Sequence, residues 1–204
     1  MSIFGNDPVH ARVKAGDLAR FDDIALASLD ASRQALLRTH LAVAEARLAS
    51  RQARDDHERV AARTSGARAD VKLAKAELTS ARAHSDAQGS EEAAHSVAAA
   101  QTDKAALDRH IAWLRAEVAA AEAREEEVNA AAWAAEADYE MARARLLASD
   151  RPPGEANLQA FVKQSEACLK ASEDARRRSV RLRAEADTQR SAWQQARGPV
   201  LERV

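Results

Sequence analysis

One heptad pattern runs without interruption from Val97 to Ser149 and limits what this chain can fold into. Its inner positions alternate three and four residues apart, which places them on one narrow stripe of a helix, as in a coiled coil. In chain order these positions are Val97, Ala100, Lys104, Leu107, Ile111, Leu114, Val118, Ala121, Glu125, Val128, Ala132, Ala135, Tyr139, Ala142, Leu146 and Ser149. A helix of about 55 to 60 residues measures about 85 Å at 1.5 Å per residue. Such a rod favours a spacer, a lever or a docking surface over a reaction pocket.

The composition points to long helices. Of the 204 residues only 3% are aromatic, and the 46% that are hydrophobic are mostly alanine, while 31% are charged. This balance is typical of helical coiled coils and poor material for a thick globular core. The net charge of −1 lacks the basic excess that binds nucleic acid, so no nucleic-acid partner is expected.

Targeting and redox signals favour a cytoplasmic protein. The single cysteine, Cys168, excludes an internal disulfide and suits a reducing compartment. The first 13 residues lack the apolar stretch of a secretory signal, and no segment approaches the ~20 apolar residues of a membrane-spanning helix.

Glycine and proline divide the chain. Residues 85–90 predict a turn with Ser90 capping the next helix, and Pro152-Pro153-Gly154 predicts a helix stop. We therefore expect a single helical domain at 17–197, with an N-terminal segment and a C-terminal tail outside it. The expected boundaries are 1–16 for the segment, about 17–87, 90–149 and 155–197 for the helices, and 198–204 for the tail.

Both flanking helices carry a compatible heptad. In the first helix it runs through Ala25, Leu29, Ser32, Leu36, Thr39, Val43, Ala46, Ser50, Ala53, His57, Val60, Thr64, Ala67, Val71, Ala74, Leu78 and Ala81. In the third it runs through Leu158, Phe161, Ser165, Cys168, Ser172, Ala175, Ser179, Leu182, Ala186, Gln189, Trp193 and Ala196. The predicted fold is all-α: an elongated antiparallel three-helix coiled-coil bundle.

Charge is unevenly distributed among the helices. Residues 89–151 hold 13 acidic and 7 basic residues, whereas the segments on either side are mildly basic. Folding the third helix back at the double proline places a set of acids opposite a set of arginines. The acids are Glu122, Glu125, Glu126 and Glu127, and the arginines are Arg176, Arg177, Arg178, Arg181 and Arg183. Exposed pairs of this kind contribute about 0.2–1 kcal/mol each, so they select a register more than they stabilise it.

The same register leaves two ends free for partners. The third helix should end near Leu107, so residues near 72–106 are expected to project as a two-helix arm. Candidate partner-binding residues at the tip of this arm are His84, Asp86, Gln88, Glu91, Glu92 and His95. Candidate docking residues at the N-terminal end are Ile3, Phe4, Phe21 and Ile24.

Signatures of enzymatic chemistry are missing from the sequence. It has no phosphate-binding GxxxxGK[ST] loop, no HExxH and no CxxC pair. Glu92 and His95 form one ExxH pair, but a four-helix di-iron site needs two such pairs and two further glutamates. We therefore predict no catalytic, cofactor or metal residues, and Cys168 is expected to be a buried core residue.

These patterns favour a non-enzymatic structural or interaction protein: a scaffold, an adaptor or a subunit of a larger assembly. A protein partner of unknown identity and self-association are both expected. The segment Ala87-Gln-Gly-Ser-Glu-Glu-Ala-Ala-His95, where a helix restarts after a glycine, resembles phage-shock proteins, and the three-helix plan resembles BAR domains. Those resemblances imply membrane remodelling at a membrane surface, which is the alternative function. A stalk-like component of a secretion or export apparatus is a second alternative, by length and composition.

Overall fold

The computed structural model describes residues 23–84, 86–149 and 155–197 of the chain. These ranges are all-helical and contain no strand. Their three helices are α1 (Asp23–Ala83), α2 (Ala87–Ser149) and α3 (Glu155–Arg197), packed against one another. Several sequence-based expectations lie outside the described residues: the N-terminal segment 1–16, the double-proline turn and the tail 198–204.

The boundary between α1 and α2 differs from the expected one. α1 ends at Ala83, where the amide of His84 donates to the carbonyl of Ser80 at 3.1 Å. α2 begins at Ala87 because Asp86, not Ser90, caps it: the Asp86 carboxylate accepts a 2.9 Å hydrogen bond from the Gly89 amide. A side-chain oxygen that binds the third amide of a helix is the usual N-cap arrangement. The predicted cap lies one turn inside the helix.

The chain groups into two compact units. Within the described residues, unit 1 takes 23–47, 123–149 and 155–180. Unit 2 takes 48–84, 86–122 and 181–197. Each unit therefore contains a part of all three helices.

The heptad positions of α1 and α3 line the interior. On α1 the buried or half-buried positions are Leu29, Ser32, Leu36, Thr39, Val43, Ala46, Ser50, Ala53, His57, Val60, Thr64, Ala67, Val71, Ala74, Leu78 and Ala81. On α3 they are Leu158, Phe161, Ser165, Cys168, Ser172, Ala175, Ser179, Leu182, Ala186, Gln189 and Trp193. Alternation of three and four residues keeps one face of a helix inside along its length.

The middle helix has two inner stripes where one was expected. The expected stripe is buried or half-buried from Val97 to Leu146, and Ser149 is exposed. A second stripe, with the same three-four alternation, runs through Ala116, Ala119, Ala123, Glu126, Ala130, Trp133, Ala137, Glu140 and Ala144. It is needed because α2 contacts both α1 and α3. Most of its residues are alanines, which are also common on the other faces of α2, so hydrophobicity alone does not distinguish this stripe in the sequence.

No helix in the described part of the chain has an apolar stretch long enough to cross a membrane.

Candidate functional site

Three buried serines on α3 join it to α2 in unit 1, and we call them the serine ladder. Their hydroxyls donate to main-chain carbonyls seven residues apart: Ser165 to Ala137 at 3.0 Å, Ser172 to Ala130 at 2.8 Å and Ser179 to Ala123 at 2.8 Å. The acceptor numbers fall as the donor numbers rise, so α2 and α3 are antiparallel in this unit. Small residues on both sides allow the helices to approach closely enough for these bonds. Sliding α3 by fewer than seven residues would break all three.

A second cluster in unit 1 buries charge. Arg143 is 7% exposed and Glu140 is 1% exposed, and Arg143 Nη1 donates to both carboxylate oxygens of Glu140 at 2.9 and 3.1 Å. The guanidinium also lies 4.4 Å from the ring centre of Phe161 and 5.5 Å from that of Tyr139. Cation–π contacts are strongest when the cation is withdrawn from water, as it is between these rings. The arrangement holds Arg143 in place and is suited to specifying how the helices pack.

Cys168 is buried beside this cluster, as expected from the heptad. Burial, and after it the negative charges of Glu136 and Glu140, raise the pKa of its thiol to about 12, against a smaller lowering by a hydrogen bond from Gln164. The thiol is therefore protonated at neutral pH and is a poor nucleophile or metal ligand, since the thiolate is the reactive form. Elsewhere in unit 1, burial lowers the pKa of His40, which favours its neutral form.

The acids of α2 are divided between two neighbours. In unit 1, Glu125 pairs with Arg47 of α1 at 3.5 Å, and Glu126 pairs with Arg178 of α3 at 3.0 Å. In unit 2, Glu122 binds Arg54 of α1 at 2.7 Å. The expected pairing of Glu122 with Arg181 and Arg183 therefore does not hold. From the sequence these acids were expected to face α3 alone, whereas Glu125 belongs to one inner stripe of α2 and Glu126 to the other.

The other arginines of α3 have varied surroundings. Arg177 pairs within its own helix with Glu173 at 3.8 Å, and Arg183 and Glu127 are also engaged in interactions. Arg176 and Arg181 are exposed and form no ion pair with any residue that the structure describes.

The predicted tip residues surround the α1–α2 turn in unit 2. His84, Asp86, Gln88, Glu91, Glu92 and His95 are all exposed. Several of them bind their own helix: His84 Nδ1 lies 2.8 Å from the Ser80 carbonyl, and Gln88 donates to Glu92 at 3.3 Å. Within the described ranges no three His, Cys, Asp or Glu side chains are grouped as metal ligands, so the Glu92 and His95 pair has no third partner of that kind.

A small cavity of about 200 Å³ lies in unit 2 and was not anticipated. Its walls include His57 of α1, Arg115 and Glu122 of α2, and Glu185 and Gln189 of α3. His57 Nε2 and Gln189 Oε1 are buried and have no hydrogen-bond partner among the described residues. Glu122 is bound by Arg54 and Glu185 by the Gln189 amide, so the carboxylates in this cavity are already engaged.

An apolar stripe on the outside of α1 was not anticipated from the sequence. Leu37, Leu41 and Leu48 are 57%, 63% and 58% exposed, and Ala44 between them is also exposed. Spacings of four, three and four residues align these four residues on one face, which we call the α1 outer stripe. Its own three-four alternation was a usable signal. At the N-terminal end of α1, Ile24 is 82% exposed, while Ile3, Phe4 and Phe21 lie outside the described residues.

Comparison of the sequence with protein-family models found no match, and neither did comparison with curated proteins or with solved structures.

Proposed function

We propose that this chain is a non-enzymatic scaffold or adaptor, built as an antiparallel helical coiled coil, that works by binding other proteins. The observation that carries the proposal is the α1 outer stripe. Three leucines that are each more than half exposed lie on one face of a single helix and form an apolar surface. Contiguous exposed apolar surface is a feature of protein-interaction sites.

The surroundings of the reactive side chains support a role without catalysis. Cys168 is buried and protonated at neutral pH, and Arg143 is held between Glu140 and two aromatic rings. The carboxylates of Glu122 and Glu126 are bound by arginines. A general acid, base or nucleophile needs a free group at a concave surface, and these groups are committed to helix packing.

The burial pattern in unit 2 supports a two-helix arm at the α1–α2 turn. Among described residues between Ala74 and Leu114, none is as fully buried as the heptad positions on either side. Two helices bury only one stripe each, and partially, whereas a third helix completes the burial. Arg190 of α3 pairs with Glu117 of α2 at 3.6 Å, only seven residues before the end of α3 at Arg197, so α3 is expected to cover little of this region. The arm would present His84, Glu91 and His95 to a partner.

The experiment uses the full chain as bait, with a matched pair of variants. Leu41→Lys places a charge in the α1 outer stripe, and Leu73→Lys does so at an equally exposed leucine of α1 off the stripe. We expect the wild-type chain to co-purify with a defined protein or to associate with itself. Leu41→Lys should abolish this binding, and Leu73→Lys should retain it. Equal behaviour of both variants and the wild type would contradict it.

A membrane-surface role is the second candidate, and the outer face of α3 favours it. Arg176 has no ion pair among the described residues, and Leu169 and Val180 on that side are 50% and 68% exposed. Basic and apolar side chains together can bind an anionic bilayer. If the protein has this role, it should float with phosphatidylserine vesicles in a density gradient, and Arg176→Glu should reduce the fraction that floats. Indifference to such vesicles leaves the adaptor function.

A further inference from the structure

We infer that the α1 outer stripe binds the same stripe of a second copy of this chain, with the two α1 helices antiparallel about a two-fold axis. The inference rests on the proposed function and names one partner for it. A two-fold interface is self-complementary, so each residue of the patch must meet a suitable residue of the same patch. The apolar and the charged residues of this surface can be tested separately against that requirement.

The apolar residues of the α1 outer stripe are self-complementary in one antiparallel register. If Leu37 faces Leu48 of the second copy, then Leu41 faces Ala44, and both contacts occur twice. Leu41 thus packs beside the smaller Ala44, and Leu37 beside Leu48, which has the same size. Side chains pack in this knobs-into-holes manner between paired helices. α1 is continuous through this stretch, so all four residues lie on one side of a single helix.

The charges flanking the stripe support the same register. Arg38 and Glu45 are both exposed and form no ion pair with a residue that the structure describes. In the antiparallel register they lie on the same edge, and Arg38 of one copy meets Glu45 of the other, twice per dimer. A parallel pairing would instead bring Arg33, also exposed, against Arg38 of the second copy. Like charges in contact disfavour that arrangement.

The opposite edge of the stripe adds little repulsion. Arg47 lies there, but its guanidinium is 3.5 Å from the Glu125 carboxylate of α2, which offsets its charge. His40 on this edge is half-buried, and burial lowers its pKa, so it carries little charge at neutral pH. Exposed Arg33 is also on this edge and meets Arg54 of the second copy, but Arg54 is bound by Glu122 of its own chain at 2.7 Å, which offsets its charge. Opposite charges therefore face one another on one edge, and on the other edge the cations that face Arg33 and His40 each have an acidic partner in their own chain.

Sedimentation equilibrium of the full chain tests the pairing through a charge exchange. Arg38→Glu and Glu45→Arg each place like charges together twice, so each should weaken the dimer about tenfold. The double variant Arg38→Glu/Glu45→Arg should restore wild-type dimerisation, because the opposite charges face one another again. Leu41→Lys should abolish the dimer, and Leu73→Lys should leave it intact. Failure of the double variant to restore the dimer would overturn the inference.

Cysteine crosslinking tests the orientation. The native Cys168 can stay, because its thiol is buried. A mixture of Leu37→Cys and Leu48→Cys proteins should form a disulfide between the two kinds of chain, and each protein alone should crosslink poorly. Efficient crosslinking of Leu37→Cys with itself would indicate a parallel pair and overturn the inference.

The same experiments distinguish a failure of the proposed dimer from a failure of the proposed function. A chain that is monomeric at all concentrations, but whose capture of another protein still depends on Leu41, would overturn the dimer and retain the adaptor. If Leu41→Lys changes neither self-association nor capture, both proposals fall.

Discussion

The hydroxyl of Ser172 donates a 2.8 Å hydrogen bond to the main-chain carbonyl of Ala130, across the contact between α3 and α2. Ser50 of α1 is just as deeply buried, at 1% exposure, yet its hydroxyl has no hydrogen-bond partner among the described residues. Two buried serines at heptad positions thus differ in what their hydroxyls do. The Ser172 hydroxyl joins two helices, whereas the Ser50 hydroxyl is withdrawn from water and gains no hydrogen bond from the described residues in exchange.

Removing these hydroxyls should have opposite effects on stability. Ser172→Ala should lower the free energy of unfolding by about 1 kcal/mol, because it removes an inter-helix hydrogen bond. Ser50→Ala should be neutral or stabilise by up to about 1 kcal/mol, because it removes a buried polar group without a partner. Urea unfolding of both variants followed by circular dichroism measures this difference. Equal destabilisation by both would show that the serine ladder contributes nothing beyond packing.

The two helical glycines should respond differently to alanine. Gly66 lies inside α1 with open space where a Cβ would be, so Gly66→Ala should stabilise the chain by about 1 kcal/mol. At Gly89 an added Cβ would collide with the carboxylate of Asp86, which caps α2. Gly89→Ala should therefore show no such gain, because the cap it displaces is worth about 1 kcal/mol. Thermal melts of the two variants, compared with the wild type, decide the point.

Arg143 should be far more sensitive than a surface arginine. Arg143→Met removes the buried cation that binds Glu140, and breaking a buried pair in this way costs about 3–5 kcal/mol. Arg177, whose ion pair with Glu173 is exposed, is the control, and Arg177→Met should change stability by less than about 1 kcal/mol. The double variant Glu140→Leu/Arg143→Met should recover part of the loss, because it removes the Glu140 charge together with that of Arg143. Equal stability of the two single variants would contradict the assignment.

The buried thiol of Cys168 should lower the free energy of unfolding at alkaline pH. Its thiol has an ordinary pKa of 9.0, which the folded structure raises to about 12. Well below pH 9 the thiol is protonated in both states, whereas between about pH 9 and 12 the unfolded chain loses this proton more readily than the folded one. Stability should therefore fall as the pH rises through this window.

The Cys168→Ala variant isolates this effect from lysine and tyrosine titration. The difference in unfolding free energy between wild type and variant should be constant well below pH 9 and should shift against the wild type as the pH rises through 9 and above. In the native wild type, a thiol reagent at pH 8 should react with Cys168 much more slowly than in urea. Equal rates in the two solvents would show that the thiol is accessible in the folded chain.

Much of the interior could be predicted from the sequence. The heptads of α1 and α3 correctly identified the residues that line the interior, from Leu29 to Ala81 and from Leu158 to Trp193. They did so because regular spacing along a helix determines which side chains share a face, whatever covers that face. The burial of Cys168 followed from the same spacing.

Other features depended on which neighbour lies beside each face. The alanines of the second stripe of α2, such as Ala130, look alike in sequence whether or not a helix covers them. Glu122 and Glu126 differ by one helical turn, yet one binds α1 and the other α3. The α1 outer stripe has the spacing of an interior face, and only the positions of α2 and α3 show that they leave it exposed.

The sequence by itself therefore determined the helices and the inner faces of α1 and α3, because periodicity is a property of a single helix. Only the tertiary structure decided the arginine partners of Glu122 and Glu125, the serine bonds to α2 and the exposure of Leu37 and Leu41. Each of these depends on the distance between atoms of different helices. A hydrogen bond or an ion pair is lost over about 1 Å, a displacement that the spacing of residues along one helix does not encode.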